Sequence, residues 1–235
     1  IAAGSLVAAF PLFGATISNS TVAAASPDWP TTLGGVRIVV RDSAGVDHAA
    51  RLSYVSPGQV NYQLPEGAAP GNAAVTIQAD GESSSANIYI AASYPHLFTA
   101  NAAGLAAAQI VRVRDGVQTV EEVAQLDANG NIVARPIDAG PAGDQLFLVL
   151  YGTGIRSASS VTGSLTRPFG SGGSIVAPVQ VPYYGAQGTY PGLDQVNVQL
   201  PRPSAAGGQF SDSGTWTVSV DADGKQSNAV TLLIR

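Results

Sequence analysis

The chain predicts an all-β protein built from two β-sandwich domains joined by a β-ribbon. Two observations carry that prediction. Residues 54 to 65 read YVSPGQVNYQLP and residues 190 to 201 read YPGLDQVNVQLP, a Tyr followed at the same distance by Gln-Val-Asn, one residue and Gln-Leu-Pro, as two copies of one strand would be written. Around each copy, short apolar runs are punctuated by Gly and Pro, 27 and 15 of them spread along 235 residues, as in sandwiches and barrels.

In the first half, Val36, Ile38 and Val40 alternate with Arg37, Val39 and Arg41, the period of a half-buried strand. Asp42-Ser-Ala-Gly45 turns the chain toward a partner strand through Leu52 and Tyr54. In the first copy of the motif Val60, Tyr62 and Leu64 share a face opposite Asn61 and Gln63, and Pro65 stops the strand because it lacks a donor. NAAVTIQADGESSSANIYI then reads as a hairpin about Asp80-Gly81. The second half keeps this order: VAPVQVPYY, QVNVQLP, then TWTVSVDADGKQSNAVTLLI with Asp223-Gly224 at the turn and Trp216, Val218 and Val220 facing the core.

Ala3-Gly4 and the apolar run ending at Phe13-Gly14 parallel Ala142-Gly143 and QLFLVLYGTG, so the opening segment is expected to be a first strand rather than a targeting remnant. Residues 96 to 140 have no counterpart. Their hairpin signals, Asp115-Gly116 and Asn129-Gly130, predict a β-ribbon joining the lobes. The expected organisation is 1–95, first sandwich; 96–140, connecting ribbon; 141–235, second sandwich.

YVSPGQVNYQLP, YPHLFTANAAGLAAAQ, AGDQLFLVLYGTG, YPGLDQVNVQLP and the closing SNAVTLLI together resemble the acidobacterial uncharacterised C-terminal domain family. The resemblance covers nearly the whole chain. It implies two tandem immunoglobulin-like sandwiches within a large secreted or surface protein, and it implies no activity. The ribbon through Glu121 and Glu122, and the Gly-Ser-rich loop at residues 170 to 173, are longer than the family pattern.

Composition narrows the function classes. Apolar residues make up 45% and charged residues 11% of the chain, with a net charge of −5, the opposite of a disordered balance. Ten Arg and one Lys, widely spaced, form no basic stripe, so no nucleic-acid partner is expected. No apolar stretch reaches the roughly 20 residues of a membrane-spanning helix. Cys and Met are both absent, which removes disulfide and thiolate chemistry. That absence, with a single Lys, suits an extracellular location.

Candidate sites are few. His48 and His96 are the two histidines, no Gly-x-Ser-x-Gly elbow is present, and no two His stand at ligand spacing, which argues against nucleophilic catalysis and transition metals. Asp127-Ala-Asn129-Gly-Asn131 with Asp138 imitates a calcium loop, but Ile132 occupies the position that needs Gly. Gly152-Thr153-Gly154 lacks the third Gly of a nucleotide loop and reads as a turn. Glu121 and Glu122 are adjacent and face opposite ways on a strand. Tyr183 and Tyr184, with Trp29 in another loop, are the candidate carbohydrate contacts, since an aromatic ring offers a flat apolar face to a sugar. Tyr190, repeating Tyr54, is expected to anchor packing.

No cofactor or metal is expected. The leading reading is a non-enzymatic extracellular structural or adhesive module of a surface protein or self-assembling fibre, its partner a second copy or the parent protein's other domains. The alternatives are a carbohydrate-binding accessory module using the Tyr-rich loop and, more remotely, a hydrolase.

Overall fold

A computed structural model describes residues 1–12, 15–25, 27–169, 173–201 and 213–235. Phe13 and Gly14 of the first apolar run, and residues 170–172 of the Gly-Ser loop, lie outside the described residues. Strands are the regular structure of the described residues, with no helix among them. The chain forms two units: Ile1–Tyr94 with Ala186–Leu193, and Pro95–Gly185 with Asp194–Arg235.

Unit 1 opens with β1 (Leu6–Ala9), β2 (Val22–Ala23), β3 (Thr32–Leu33) and β4 (Val36–Arg41). It continues through β5 (Asp47–Ala49), β6 (Arg51–Ser56), β7 (Gln59–Gln63), β8 (Gly71–Ala79) and β9 (Glu82–Ile90). One sheet has the order β1-β7-β6-β2, the other β3-β4-β8-β9 with β5 on β4. Alternation places Val36, Ile38 and Val40 from one sheet and Leu52, Val60 and Tyr62 from the other in a single buried cluster. This is an immunoglobulin-like sandwich, two antiparallel sheets sharing one apolar layer.

Unit 2 begins with β10 (His96–Leu97), β11 (Ala108–Arg114), β12 (Val117–Glu122), β13 (Ala124–Leu126) and β14 (Ile132–Ala134). It continues with β15 (Gln145–Thr153), β16 (Val161–Phe169), β17 (Gly173–Ala186) and β18 (Asp194–Gln199). It closes with β19 (Gly214–Ala222), β20 (Lys225–Gln226) and β21 (Val230–Ile234). The main path runs β12-β11-β15-β18-β17-β16-β19-β20, with β10 on β15 and β21 on β19. Ile110, Leu148 and Val196 from one half of that path meet Leu165, Trp216, Val218 and Leu232 from the other in one core.

Residues 96–140, expected as a connecting ribbon, are integral to unit 2. β11 pairs antiparallel with β15 from Ala108↔Leu150 to Val113↔Gln145, and β12 pairs in turn with β11. The physical reason is in β11 itself: Ala108 and Ile110 alternate with Gln109 and Val111 and are buried, so the strand has an apolar face that only a core can cover.

The duplication extends to register. Leu6, Val7, Ala8 and Ala9 of β1 stand opposite Gln63, Tyr62, Asn61 and Val60; Phe147, Leu148, Val149 and Leu150 of β15 stand opposite Gln199, Val198, Asn197 and Val196. The opening segment is therefore a strand paired in its own unit, as β15 is. The flanking bonds repeat too, Leu64 N–H to Ser5 O at 2.8 Å and Leu200 N–H to Leu146 O at 2.9 Å. The repeated polar letters also have a shared use. Gln59 Nε2 donates to Asn61 Oδ1 at 2.6 Å, and Gln195 Nε2 to Asn197 Oδ1 at 2.8 Å.

The turns follow their residues. Asp80, Asp115 and Asp223 have φ of 50°, 50° and 52°, each followed by a Gly at positive φ, the type I′ geometry of a two-residue hairpin. At Asn129-Gly130 the hairpin β13–β14 forms differently, since of these two only Gly130 is left-handed, at φ 80°. Gly130 N–H donates to Asp127 O at 3.0 Å and Asp127 N–H to Asn131 O at 2.9 Å, a type I turn with a Gly bulge.

Leu64 is fully buried and Leu200 is 5% exposed, each closing the apolar face of its motif strand. Leu64→Ala should destabilise unit 1 and Leu200→Ala unit 2, each by about 2–5 kcal/mol. Calorimetry with hydrogen exchange on the two variants checks this, and a substitution that loosens the opposite unit instead would contradict the face assignment.

Candidate functional site

Tyr183 and Tyr184 are successive residues of β17 and project to opposite faces. Tyr183 is 42% exposed. Tyr184 is partly buried against the unit 2 core, and its hydroxyl donates to Ser159 O at 3.1 Å. Trp29 belongs to unit 1 and is partly buried between β2 and β3. Strand geometry thus keeps Tyr183 and Tyr184 from forming one stacking platform. Tyr190 is 54% exposed, unlike the partly buried Tyr54 of β6, so the packing equivalence begins at the Gln of the motif and not at its Tyr.

The two histidines lie in different units. His96 is exposed and meets Phe98 edge-on, with ring centroids 6.4 Å apart. His48 Nε2 lies 2.9 Å from Asp42 Oδ2. Asp42 is the hub of a turn: Oδ1 accepts from Ala44 and Val46 N–H, both at 3.0 Å, and Oδ2 accepts from Ala69 N–H at 2.9 Å. The Ala69 bond, the His48 bond and then the Val46 bond hold the carboxyl well below the usual carboxylate range. Asp42 is committed to closing β4 onto β5 and tethering the segment before β8.

Asp127 does the same in unit 2. Its Oδ1 accepts from Asn129 N–H at 2.8 Å and Asn131 N–H at 2.9 Å, and Oδ2 from Asn131 Nδ2 at 3.1 Å. Asp138 Oδ1 accepts from Gly140 N–H at 2.8 Å, and Oδ2 from Arg235 Nη2 at 3.2 Å. The calcium-like spacing therefore encodes an Asp-capped turn, and no group of three or more His, Cys, Asp or Glu is placed to hold a metal among the described residues. Gly152 answers to sterics: it pairs with Leu97 across β10–β15, and a Cβ there would stand 2.4 Å from the carbonyl oxygen of His96.

The strongest electrostatic feature was not legible in the sequence. Arg112, 8% exposed, donates through Nε and Nη2 to Glu121 at 2.5 and 3.2 Å. Its Nη1 reaches Asp144 Oδ2 at 2.7 Å and Ala139 O at 3.3 Å, and Nη2 also reaches Asp138 O at 2.7 Å. All five guanidinium donors are used. Arg114 completes the cluster with a bidentate pair to Asp144 at 2.8 and 2.7 Å. Gly140, at φ +67°, lets the loop close over it, since a Cβ there would stand 2.6 Å from both Arg112 Nη1 and Asp144 Oδ2. Glu122, on the opposite face from Glu121, accepts from Gln109 Nε2 at 2.7 Å. The one available signal was the i, i+2 spacing of Arg112 and Arg114; the acidic partner they share, Asp144, is 32 and 30 residues away.

Hydrogen bonds from Arg114 and Arg112 hold Asp144 well below the usual carboxylate range, and between them these two residues make three bonds to its oxygens. Such an arrangement positions a loop and offers no proton near neutrality. Asp194, fully buried, accepts from Ile155 N–H at 2.7 Å and Arg156 Nε at 2.5 Å and so ties the start of the loop following β15 to β18.

No protein-family model matches the chain, and no curated protein matches it. Among solved structures it is similar to bovine butyrophilin, with a TM-score of 0.26 and 9% identity over 100% of this chain and 93% of that one. It is similar also to the I9–I11 tandem of titin, with a TM-score of 0.18 and 11% identity over 99% of this chain and 94% of that one. Overlaps this loose carry no argument, and the description of the fold rests on the strand pairing above.

The depressed carboxyls set an acid dependence. Asp42 and Asp144 each contribute stability in full above the ordinary carboxylate pKa of about 4, and that contribution is lost as pH falls below it toward the lower folded-state value. Asp42→Asn and Asp144→Asn should therefore melt below the parent at neutral pH, with the difference shrinking as pH is lowered toward about 2. Thermal melts across that range check the sign; a difference that widens on acidification would contradict it.

Proposed function

We propose that the chain is a non-enzymatic structural or adhesive module of an extracellular surface protein or fibre, associating through the edges of its sheets. The observation that supports this best is the outer strand of unit 2. β12 pairs with β11 on one side, and among the described residues no strand pairs with its other side. Val117 and Val120 on it are 64% and 62% exposed. Edges in monomeric proteins are usually guarded by Lys, Pro or bulges, whereas β12 carries only Glu121 and Glu122 at one end, and Glu121 is already bound by Arg112. The acidic side chains that sequence spacing offers for chemistry are spent on turns and loops, as described above. The sequence resemblance to a family of secreted and surface domains supports the location.

Sedimentation velocity and electron microscopy of the full chain test this reading. Concentration-dependent assembly is expected, reduced in Val120→Lys at unchanged melting temperature. A chain that stays monomeric at high concentration and in its native source, or that turns over substrate in a broad screen, would overturn it.

A further inference from the structure

The hairpin β11–β12 fixes which main-chain groups of β12 point outward. Asp115-Gly116 is a two-residue type I′ turn, so Arg114 and Val117 form the hydrogen-bonded pair that closes it. In an antiparallel ladder such pairs alternate with unbonded ones. Val117, Thr119 and Glu121 therefore bond toward β11, opposite Arg114, Arg112 and Ile110, whereas Gln118, Val120 and Glu122 aim their N–H and C=O groups away from it. Among the described residues no strand pairs with that side, and Gln118, Val120 and Glu122 are all exposed.

The side chains of these three residues belong to rows that cross the sheet. On its outer face Phe147, Val111 and Val120 stand opposite one another on β15, β11 and β12, an apolar row that runs to the edge and stops there. The row beside it is polar: Gln109 Nε2 donates to Glu122 at 2.7 Å, and Gln109 Oε1 accepts from the Tyr151 hydroxyl at 3.1 Å. On the other side of the apolar row, Gln118 stands opposite Val113.

We propose that β12 pairs antiparallel with β12 of a second copy, about a two-fold axis through Val120. Outward-bonding residues must stand opposite one another in such a pair, so the registers available are centred on Thr119, Val120 or Glu121. Centring on Thr119 sets Val120 against Gln118 and breaks the apolar row. Centring on Glu121 sets that carboxylate against its own copy, a like-charge pair that destabilises a sheet. Centring on Val120 makes the row continuous, from Phe147 and Val111 of one copy through both Val120 side chains to Val111 and Phe147 of the other. It also sets Glu122 opposite Gln118 of the second copy, twice, so that an amide donor meets a carboxylate. Thr119 then faces Glu121, and no like charges stand opposite each other. The edge is complementary to itself in charge and in apolar pattern, which makes a second copy its occupant. The contact is isologous and closes at two chains, and a single short strand pair makes it a weak one.

This names the partner for the edge association proposed above and rests on that reading. Sedimentation equilibrium of the full chain tests it, and a monomer–dimer equilibrium without larger species is expected. Gln118→Glu faces Glu122 with a like charge twice per dimer and should raise the dimer Kd about fivefold or more, whereas Gln118→Lys should lower it by a similar factor. Adding Glu122→Lys to Gln118→Glu should restore the parent's Kd. Gln118 is exposed, so the melting temperature of the dilute monomer should not move in either single variant. Register is read by cross-linking, since the chain has no Cys. Val120→Cys should give a disulfide-linked dimer, and a mixture of Gln118→Cys and Glu122→Cys chains a mixed one. Gln118→Cys alone should not link, because its two copies stand four residues apart along the strands, roughly 13 Å and beyond disulfide reach. Equal response to both charges at position 118, linking of Gln118→Cys as readily as Val120→Cys, or a chain that stays monomeric at high concentration would overturn the proposal. So would fibres whose growth Val120→Lys stops, since they need an open contact. Oligomers that Val120→Lys disperses but neither charge at position 118 affects would overturn this register and keep association through the edge. A dimer of this register in a chain that turns over substrate would overturn the non-enzymatic reading and leave the contact standing.

Discussion

The antiparallel pairing of each motif strand with the first strand of its unit is the constraint on which the rest depends. In β7 and β18 the residues Val, Tyr or Val, and Leu must all face inward, and a slip of one residue would expose all three. The register with β1 and β15 is the same in both units, and the Gln-to-Asn bond repeated on the outer face stiffens the strand at the same place. Once these pairs stand, the other strands of each unit can cover one side of an existing apolar layer.

Turns are the second element of the design, and they explain where the acidic residues went. A chain with few charges uses them at positions where backbone N–H groups converge. Asp42 and Asp127 accept from the residues two and four ahead in nearly superimposable patterns, and Asp223 accepts from Ser159 and Ser160. A carboxylate bound by several N–H groups is held ionised and in place, which suits a structural clamp and not proton transfer near neutral pH. Duplication followed by divergence then separates the units. In unit 2, residues 97–137 supply Leu97, Ile110 and Val123 to the core, and Arg112 of the same stretch is bound to Asp144.

Alternation, the doubled motif and the Asp-Gly turns were legible in the sequence because each depends on neighbours within a few residues. They determined an all-β chain, the inward faces of Val36, Ile38, Val60, Leu64, Val196 and Trp216, and the type I′ turns at Asp80, Asp115 and Asp223. The absence of a nucleophile-base motif was legible in the same way, from residue counts alone. What only the tertiary structure decided depends on contacts between distant positions. The sequence of residues 96–140 shows strands but not which edge they pair with; β15 decided that, by offering an unpaired edge to the apolar face of Ala108 and Ile110. Arg112, Glu121 and Asp144 are separated by 9 and 32 residues, so no local pattern announces that they meet. Tyr183 and Tyr184 looked alike as letters, and the pleat of β17 sent one to the surface and the other against the core.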